Sequence, residues 1–383
     1  MYERLLRPRL AASRKSVLVL GPRQVGKSTL LGTLDPDLTV NLASPASYRE
    51  YVAHPERLEA ELAEAPSRVR TVFLDEVQRV PALLDVVQVT IDRQPRRFRF
   101  LMSGSSARKL RRGSANLLPR RVHVHHLHPL LAAELGDGFH LDRALAQGTL
   151  PGIWQERDAV ERERTLRSYA DTYLREEVQA EALVRDIGGY ARLLDLVAAS
   201  SGRILNVAAL CREAEIGHET ARRYVEVLED TLVVFRVPAW SGSDRASLVA
   251  HPKLFLFDAG VRNALLRRPL DRPLPDERGP LLEHLVAYEI HRRLGTLWPE
   301  ARLFHFRTRA GAEVDFVVEV GRDLWAIEVK ASRNITAPRG IEALAGRVDR
   351  VRRKIVVFLG PRPQRVDGVQ ALPLGTFLDE LPT

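Results

Sequence analysis

At 383 residues the chain is longer than one ordinary domain, and its 45% apolar content suits two to three water-soluble domains with real cores. No apolar stretch approaches the ~18–20 residues that span a bilayer, and the amino terminus lacks a secretory signal, so a cytoplasmic, membrane-free protein is expected. A single cysteine, Cys211, excludes an internal disulfide framework and a Cys-based zinc site. Fifty-eight basic against 49 acidic residues give a net charge of +9, a balance that suits nucleic-acid phosphate. A GC-rich genome that encodes Arg cheaply would produce the same excess.

The first ~130 residues alternate short apolar runs with amphipathic stretches, the pattern of an α/β sheet. Strands are predicted at 16–20, 39–42, 71–74, 97–102 and 121–126. Between the first strand and a helix start lies Gly21-Pro22-Arg23-Gln24-Val25-Gly26-Lys27-Ser28-Thr29, a match to G-x-x-x-x-G-K-[ST]. Glycines let the backbone curl so that successive N–H groups face phosphate oxygens, and the following helix offers its positive end. Lys27 would reach the β- and γ-phosphates of ATP, and the Ser28 hydroxyl would ligate Mg2+. The third strand ends in Asp75-Glu76. Asp75 would hold the magnesium and Glu76 would orient and deprotonate the attacking water. Two acids closing a buried strand are costly without such a purpose.

The fourth strand ends in Ser103-Gly104-Ser105-Ser106, whose hydroxyls are placed to sense the γ-phosphate, although ordinary turns look the same. Six basic residues and no acid follow between Arg108 and Val122. An arginine finger reaching a neighbouring subunit is one use of such a run, with Arg121 the candidate. A DNA-facing loop and a merely solvated loop are the others.

From residue 129 the pattern turns helical, with helices predicted at 162–177 and 190–199 after a turn at 148–152. Helices at 205–215 and 219–229 flank the turn Ile216-Gly217-His218, and strand-like pieces at 233–237 and 254–257 follow as a candidate wing. Ala221, Val225, Leu228 and Leu232 share one face, and Arg222 and Arg223 stand near the start of the second helix as candidate DNA contacts. Glu219, Glu226, Glu229 and Asp230 on the same helix would repel phosphate, which favours protein docking instead.

A Pro-rich stretch, 268–280, reads as a linker or a domain boundary, followed by a helix at 281–294 and strands at 303–307, 313–319, 324–329 and 354–359. Asp315 lies on one of these strands, and Glu328-Val329-Lys330 on the next puts Glu328 and Lys330 on one face. Two carboxylates can hold Mg2+ while a lysine steadies charge on a phosphate, and Glu283 on the preceding helix would add a third carboxylate. The same residues would equally form an inert polar cluster. The basic run 347–354 reads as a solvated helix face.

The 21–29 loop, Asp75-Glu76 and Ser103–Ser106, with Arg121-Val122 and Pro129-Leu130, resemble the AAA-type ATPases that carry a carboxy-terminal DUF4143 region. The resemblance continues through 148–152, 252–260 and the final unit, and so covers nearly the whole chain. Gly usually precedes the family's finger Arg, whereas Arg120 stands here, so the finger is Arg120 or Arg121. The tail is similar to the PD-(D/E)xK restriction-endonuclease-like superfamily, with Asp315, Glu328 and Lys330 on its motif and Glu283 on its helical acid. The resemblance implies an α/β P-loop core over 1–130, a helical lid over 131–200, a winged helix over 201–265 and a nuclease-like α/β domain over 275–383. It implies an ATP-hydrolysing, Mg2+-dependent homo-oligomer, such as a hexameric ring, acting on DNA. A nucleotide-controlled switch on a protein partner and an ATP-gated nuclease are the alternatives.

Overall fold

The computed structural model describes residues 2–105, 120–174, 186–241, 248–295, 297–333, 335 and 338–383. Its contacts divide the chain into two units, Met1–His128 with Asp230–Val233, and Pro129–Glu229 with Val234–Thr383.

In the first unit, β1 (Ser16–Leu20), β2 (Leu38–Asn41), β3 (Thr71–Asp75), β4 (Arg99–Gly104) and β5 (Val122–His126) form a parallel sheet in the order β2-β3-β4-β1-β5. All five residues of β1 are buried, because it lies between β4 and β5 with both faces covered. The strand ends that carry chemistry therefore line up along one edge. β4 starts two residues later than its apolar run suggests, where pairing with β3 begins at Thr71↔Arg99. Helix Leu83–Arg93 contributes Leu83, Leu84 and Val87 to the core beside Val72, Leu74, Phe100 and Met102.

The second unit opens with short helices and a longer one, Ala159–Ser168, that passes into a π-helical turn at Tyr169–Leu174. The end of the helix expected over 162–177 lies outside the described residues. Helix Ile187–Ala199 takes its first turn from Asp186, whose carboxylate accepts the Gly189 N–H. Helix Val207–Ala214 is capped by Asn206 and ends at Glu215 in the left-handed region, after which the chain reverses into helix His218–Asp230. That second helix buries Ala221, Tyr224, Val225, Val227 and Leu228. Leu232 falls beyond the helix end, not on its face. β6 (Val234–Val237) and β7 (Lys253–Leu256) then pair antiparallel.

Helix Arg278–His291 leads to β8 (Ala301–Arg307), β9 (Glu313–Val320), β10 (Asp323–Lys330), β11 (Val351–Phe358), β12 (Gln364–Val366) and β13 (Val369–Pro373). These form one mixed sheet in the order β12-β13-β11-β10-β9-β8. The β12–β13 hairpin escaped the sequence analysis because its strands are short. Asp367 and Gly368, with φ of 47° and 77°, supply its primed turn. The basic run 347–354 is corrected too: from Val351 it is strand, and Arg353 stacks on Trp325 with its guanidinium 4.4 Å from the ring centre. The Pro-rich stretch is docked and not a free linker, since Leu270 is buried, its carbonyl accepts from Gln147, and Glu277 pairs with Arg262 and Arg268.

One buried carboxylate ties two distant loops together. Asp258 caps helix Ala259–Leu265 through Gly260 N–H and Val261 N–H, and its second oxygen accepts Thr149 N–H at 2.8 Å. Gly148, at φ +68°, leaves no room for a side chain, because a Cβ there would sit 1.8 Å from Asp258 Oδ1. Gly148→Ala is accordingly expected to lower unfolding stability by about 2–4 kcal/mol, through combined strain and displacement of Asp258. Urea denaturation of the two proteins checks this; unchanged stability would mean that Asp258 does not hold this loop.

Candidate functional site

β1 delivers the chain into the 21–26 loop, and helix Lys27–Gly32 begins directly after it. The loop needs unusual backbone: Gln24 has φ 60° and Gly26 has φ 90°. A Cβ on Gly21 would stand 2.2 Å from the Leu127 carbonyl oxygen, so only glycine fits where the loop leaves the sheet. Arg4 braces the far side by donating to the Val25 and His128 carbonyls. Lys27 is buried, and its ammonium donates to Gly21 O at 3.0 Å and Pro22 O at 2.9 Å, folded across the cradle that the loop encloses.

The parallel register between β3 and β4 runs Thr71↔Arg99 through Leu74↔Met102, which brings Asp75 level with Ser103. Asp75 Oδ1 accepts from Ser28 Oγ at 2.7 Å and from Ser103 Oγ at 2.5 Å. Two strands and one helix thus meet at a single carboxylate. Glu76 follows at φ 61°, a left-handed conformation that costs a non-glycine residue about 1–3 kcal/mol and persists where the surroundings impose it. Its N–H donates to Ser103 Oγ at 2.9 Å, and its carboxylate accepts from Gln78 Nε2, which also donates to Ser105 Oγ. Gln78 was not singled out from the sequence. Its signal is weak, a polar residue two positions past the acids, buried in a short 3-10 turn.

Arg121 stands at the other end of the strands. Val122 pairs with Ser16 at the start of β1, whereas the phosphate cradle follows Leu20 at its end. Five strand residues at ~3.3 Å each separate the two levels by ~17 Å. Arg121 pairs through two guanidinium nitrogens with Asp92, at 2.7 and 2.9 Å. Arg120 is exposed, with φ 69°. The basic residues 108–119 and Ser106 lie outside the described residues. Arg222 and Arg223 are exposed on helix His218–Asp230; Arg222 lies 3.9 Å from Glu219 and lines a cavity of about 710 Å3 with His218, Arg236 and His251.

In the carboxy-terminal sheet, β9 and β10 set Asp315 beside the Glu328–Lys330 segment, and Asp315 Oδ2 accepts the Val329 N–H at 2.8 Å. Lys330 Nζ donates to Glu328 Oε1 at 2.7 Å, while Glu328 Oε2 is buried with no partner among the described residues. Burial and the Asp315 carboxylate push Glu328 up to about 7, against the lowering pull of Lys330. The residue that sequence reasoning missed here is Lys253. It is 3% exposed, and its ammonium lies 2.8 Å from Glu283 Oε1, 2.9 Å from Glu313 Oε1 and 3.7 Å from Asp315 Oδ1. Burial opposes its charge, yet Glu283, Asp315 and Glu313 together outweigh that and hold it firmly protonated. Burial also raises Glu283, to about 7. Among the described residues, no group of three or more His, Cys, Asp or Glu side chains is arranged to hold a metal ion. Each carboxylate of the expected metal set faces an ammonium instead: Glu283 and Asp315 that of Lys253, and Glu328 that of Lys330.

The AAA domain model matches residues 13–136, and the DUF4143 domain of unknown function matches 278–377. The chain thus carries a segment that matches the AAA domain, followed by a carboxy-terminal segment that matches DUF4143, the arrangement that the sequence resembled. A further domain of unknown function, DUF8612, matches residues 138–272, between the AAA domain and the DUF4143 region. Uncharacterized proteins of Mycobacterium bovis and Mycobacterium tuberculosis are each 27% identical over 365 residues, covering 94% of this chain and 80% of theirs. Among solved structures, a signal-transduction ATPase with a tetratricopeptide-repeat sensor from Pyrococcus horikoshii aligns at 10% identity and a TM-score of 0.23. It covers 76% of this chain and 46% of its own. NtrX from Brucella abortus aligns at 16% identity and a TM-score of 0.25, over 76% of this chain and 61% of its own. The chain spans less than two thirds of either protein, and neither likeness bears on the argument. The phosphate cradle, Asp75 and Glu76 all fall inside the AAA domain, and Asp315, Glu328 and Lys330 inside the DUF4143 region. Lys253 belongs to neither segment. No helix among the described residues is long and apolar enough to cross a membrane.

Proposed function

We propose that the chain is a Mg2+-dependent ATP hydrolase that works on DNA as a homo-oligomer. The observation that carries the ATPase reading is the convergence of Ser28 and Ser103 on Asp75, with Glu76 one residue on and Lys27 folded over the cradle. The residues present fit the nucleotide and its metal. The 21–29 loop leaves the sheet at a glycine that admits no Cβ against the Leu127 carbonyl, and Ser28 and Asp75 already place two hard oxygens together. Magnesium would neutralise charge on the phosphates when bound. Lys27 would exchange its two carbonyl partners for phosphate oxygens, the helix start would add its positive end, and Glu76 would orient and deprotonate the water. Ser103 keeps Asp75 and the Glu76 backbone in register, and Gln78 aims the Glu76 carboxylate.

The placement of the arginines is what supports the oligomer reading. An Arg at the far end of the strands does not reach its own chain's phosphates, so a finger role for Arg121 or Arg120 requires a neighbour's site. DNA action rests on the +9 charge and on Arg222 beside a cavity that also collects His218, Arg236 and His251. The acids Glu219, Glu226 and Glu229 on the same helix favour the second reading, a nucleotide-controlled switch that grips a protein partner. Salt titration separates them. If DNA is the partner, duplex or branched DNA binds at ~50 mM salt and loses ~10-fold or more in affinity by ~200 mM, as counterion release requires. No binding at low salt, with and without ATP, would eliminate the DNA reading and leave the ATPase intact.

A further inference from the structure

We propose that Lys253 is the resident cation of the carboxylate cluster in the DUF4143 region, standing where a nuclease-like arrangement would hold a divalent metal. The cluster of Glu283, Glu313 and Asp315 is then a charged joint that fastens β7 to the carboxy-terminal sheet, and not a cleavage centre.

Lys253 is the first residue of β7, paired with Val237 in the hairpin with β6, and it comes from a segment that precedes the sheet by about fifty residues. Its side chain is buried, so the ammonium has exchanged water for the carboxylates of helix Arg278–His291 and strand β9. Two of its three N–H groups are satisfied within 2.9 Å, and Asp315 lies within ion-pair range. Phe316 borders the site, with its ring centre 6.0 Å from Nζ. A divalent ion ligated by Glu283 and Asp315 at ~2.1 Å per oxygen would lie within a few ångströms of that ammonium, in a buried setting where repulsion is weakly screened. The second oxygen of Glu313 pairs with Arg307 at 3.4 Å, and the remaining acid, Glu328, pairs with Lys330. A buried lysine among three acids satisfies the rule that buried charge be paired, without any metal.

The test uses the full chain and Mn2+ alone, without nucleotide, read by electron paramagnetic resonance titration and thermal melting. Wild type should show no Mn2+ site that Asp315→Asn removes; Mn2+ bound at Ser28 and Asp75, as the proposed function expects, would be insensitive to that change and is told apart by it. Lys253→Met leaves the acids uncompensated, so the melting temperature should fall, added Mn2+ should raise it again, and a new site sensitive to Asp315→Asn should bind Mn2+ at least tenfold more tightly than wild type does. Lys253→Met with Glu283→Gln removes both charges and should recover much of the lost melting temperature, and it is the form to measure if the single variant does not fold. A wild-type Mn2+ site lost on Asp315→Asn would overturn the proposal. So would a Lys253→Met protein that melts like wild type and gains no Mn2+ affinity. Neither result touches the ATPase reading, which rests on residues of the AAA domain.

Discussion

Lys27→Ala is expected to remove ATP turnover, with kcat/KM lowered by at least ~10²–10³-fold, a loss of about 3–4 kcal/mol of transition-state stabilisation. The lysine is buried at the start of helix Lys27–Gly32, and its ammonium already spans the cradle between the Gly21 and Pro22 carbonyls. Those carbonyls are replaceable partners, so a phosphate chain entering the mutant loop would keep the backbone N–H groups but lose the ammonium that lies across them. Binding should weaken along with turnover, because the charge acts on ground state and transition state alike. Isothermal titration with ATP and Mg2+, paired with phosphate release, measures both. Turnover within a fewfold of the parent would mean that the loop is a structural turn and that the catalytic reading of the whole first unit is wrong.

Glu76→Gln should separate the two quantities. ATP affinity is expected to stay within a fewfold of the parent while kcat falls by ~10²–10⁴, the range for loss of a positioned general base. The amide keeps the size of the side chain, can still accept from Gln78, and tolerates the same left-handed backbone, so the site geometry is retained and only basicity is lost. Single-turnover hydrolysis with protein in excess over ATP isolates the chemical step. If hydrolysis in that assay is unimpaired, Glu76 is not the base, and Gln78 and Ser105 then become parts of a structural turn.

The two sites differ in how far they could be read from the chain. The phosphate cradle is contiguous, because a loop that wraps a phosphate must present its backbone N–H groups in succession, and that requirement writes itself into nine adjacent residues. Asp75-Glu76 was equally visible as acids ending an apolar strand. What connects them was not: the register that brings Ser103 level with Asp75, and the turn that points Gln78 at Glu76, depend on which strands are neighbours. In the tail, Asp315, Glu328 and Lys330 were legible through strand alternation, but their setting was not. Nothing local to Lys253, an alternating residue before an apolar run, signals that it ends among three carboxylates 30 to 62 residues further on.

By itself the sequence determined the parts whose physics is short-range: the β-strand periods, the glycine-dependent curl after β1, the Asx caps at Asn206 and Asp258, and an excess of positive charge. The tertiary structure decided which distant charges share a low-dielectric space, and with that whether the acids of the last sheet meet a metal or an ammonium. Electrostatic character in a buried cluster depends on every charge within a few ångströms, and chain order does not encode which charges those are.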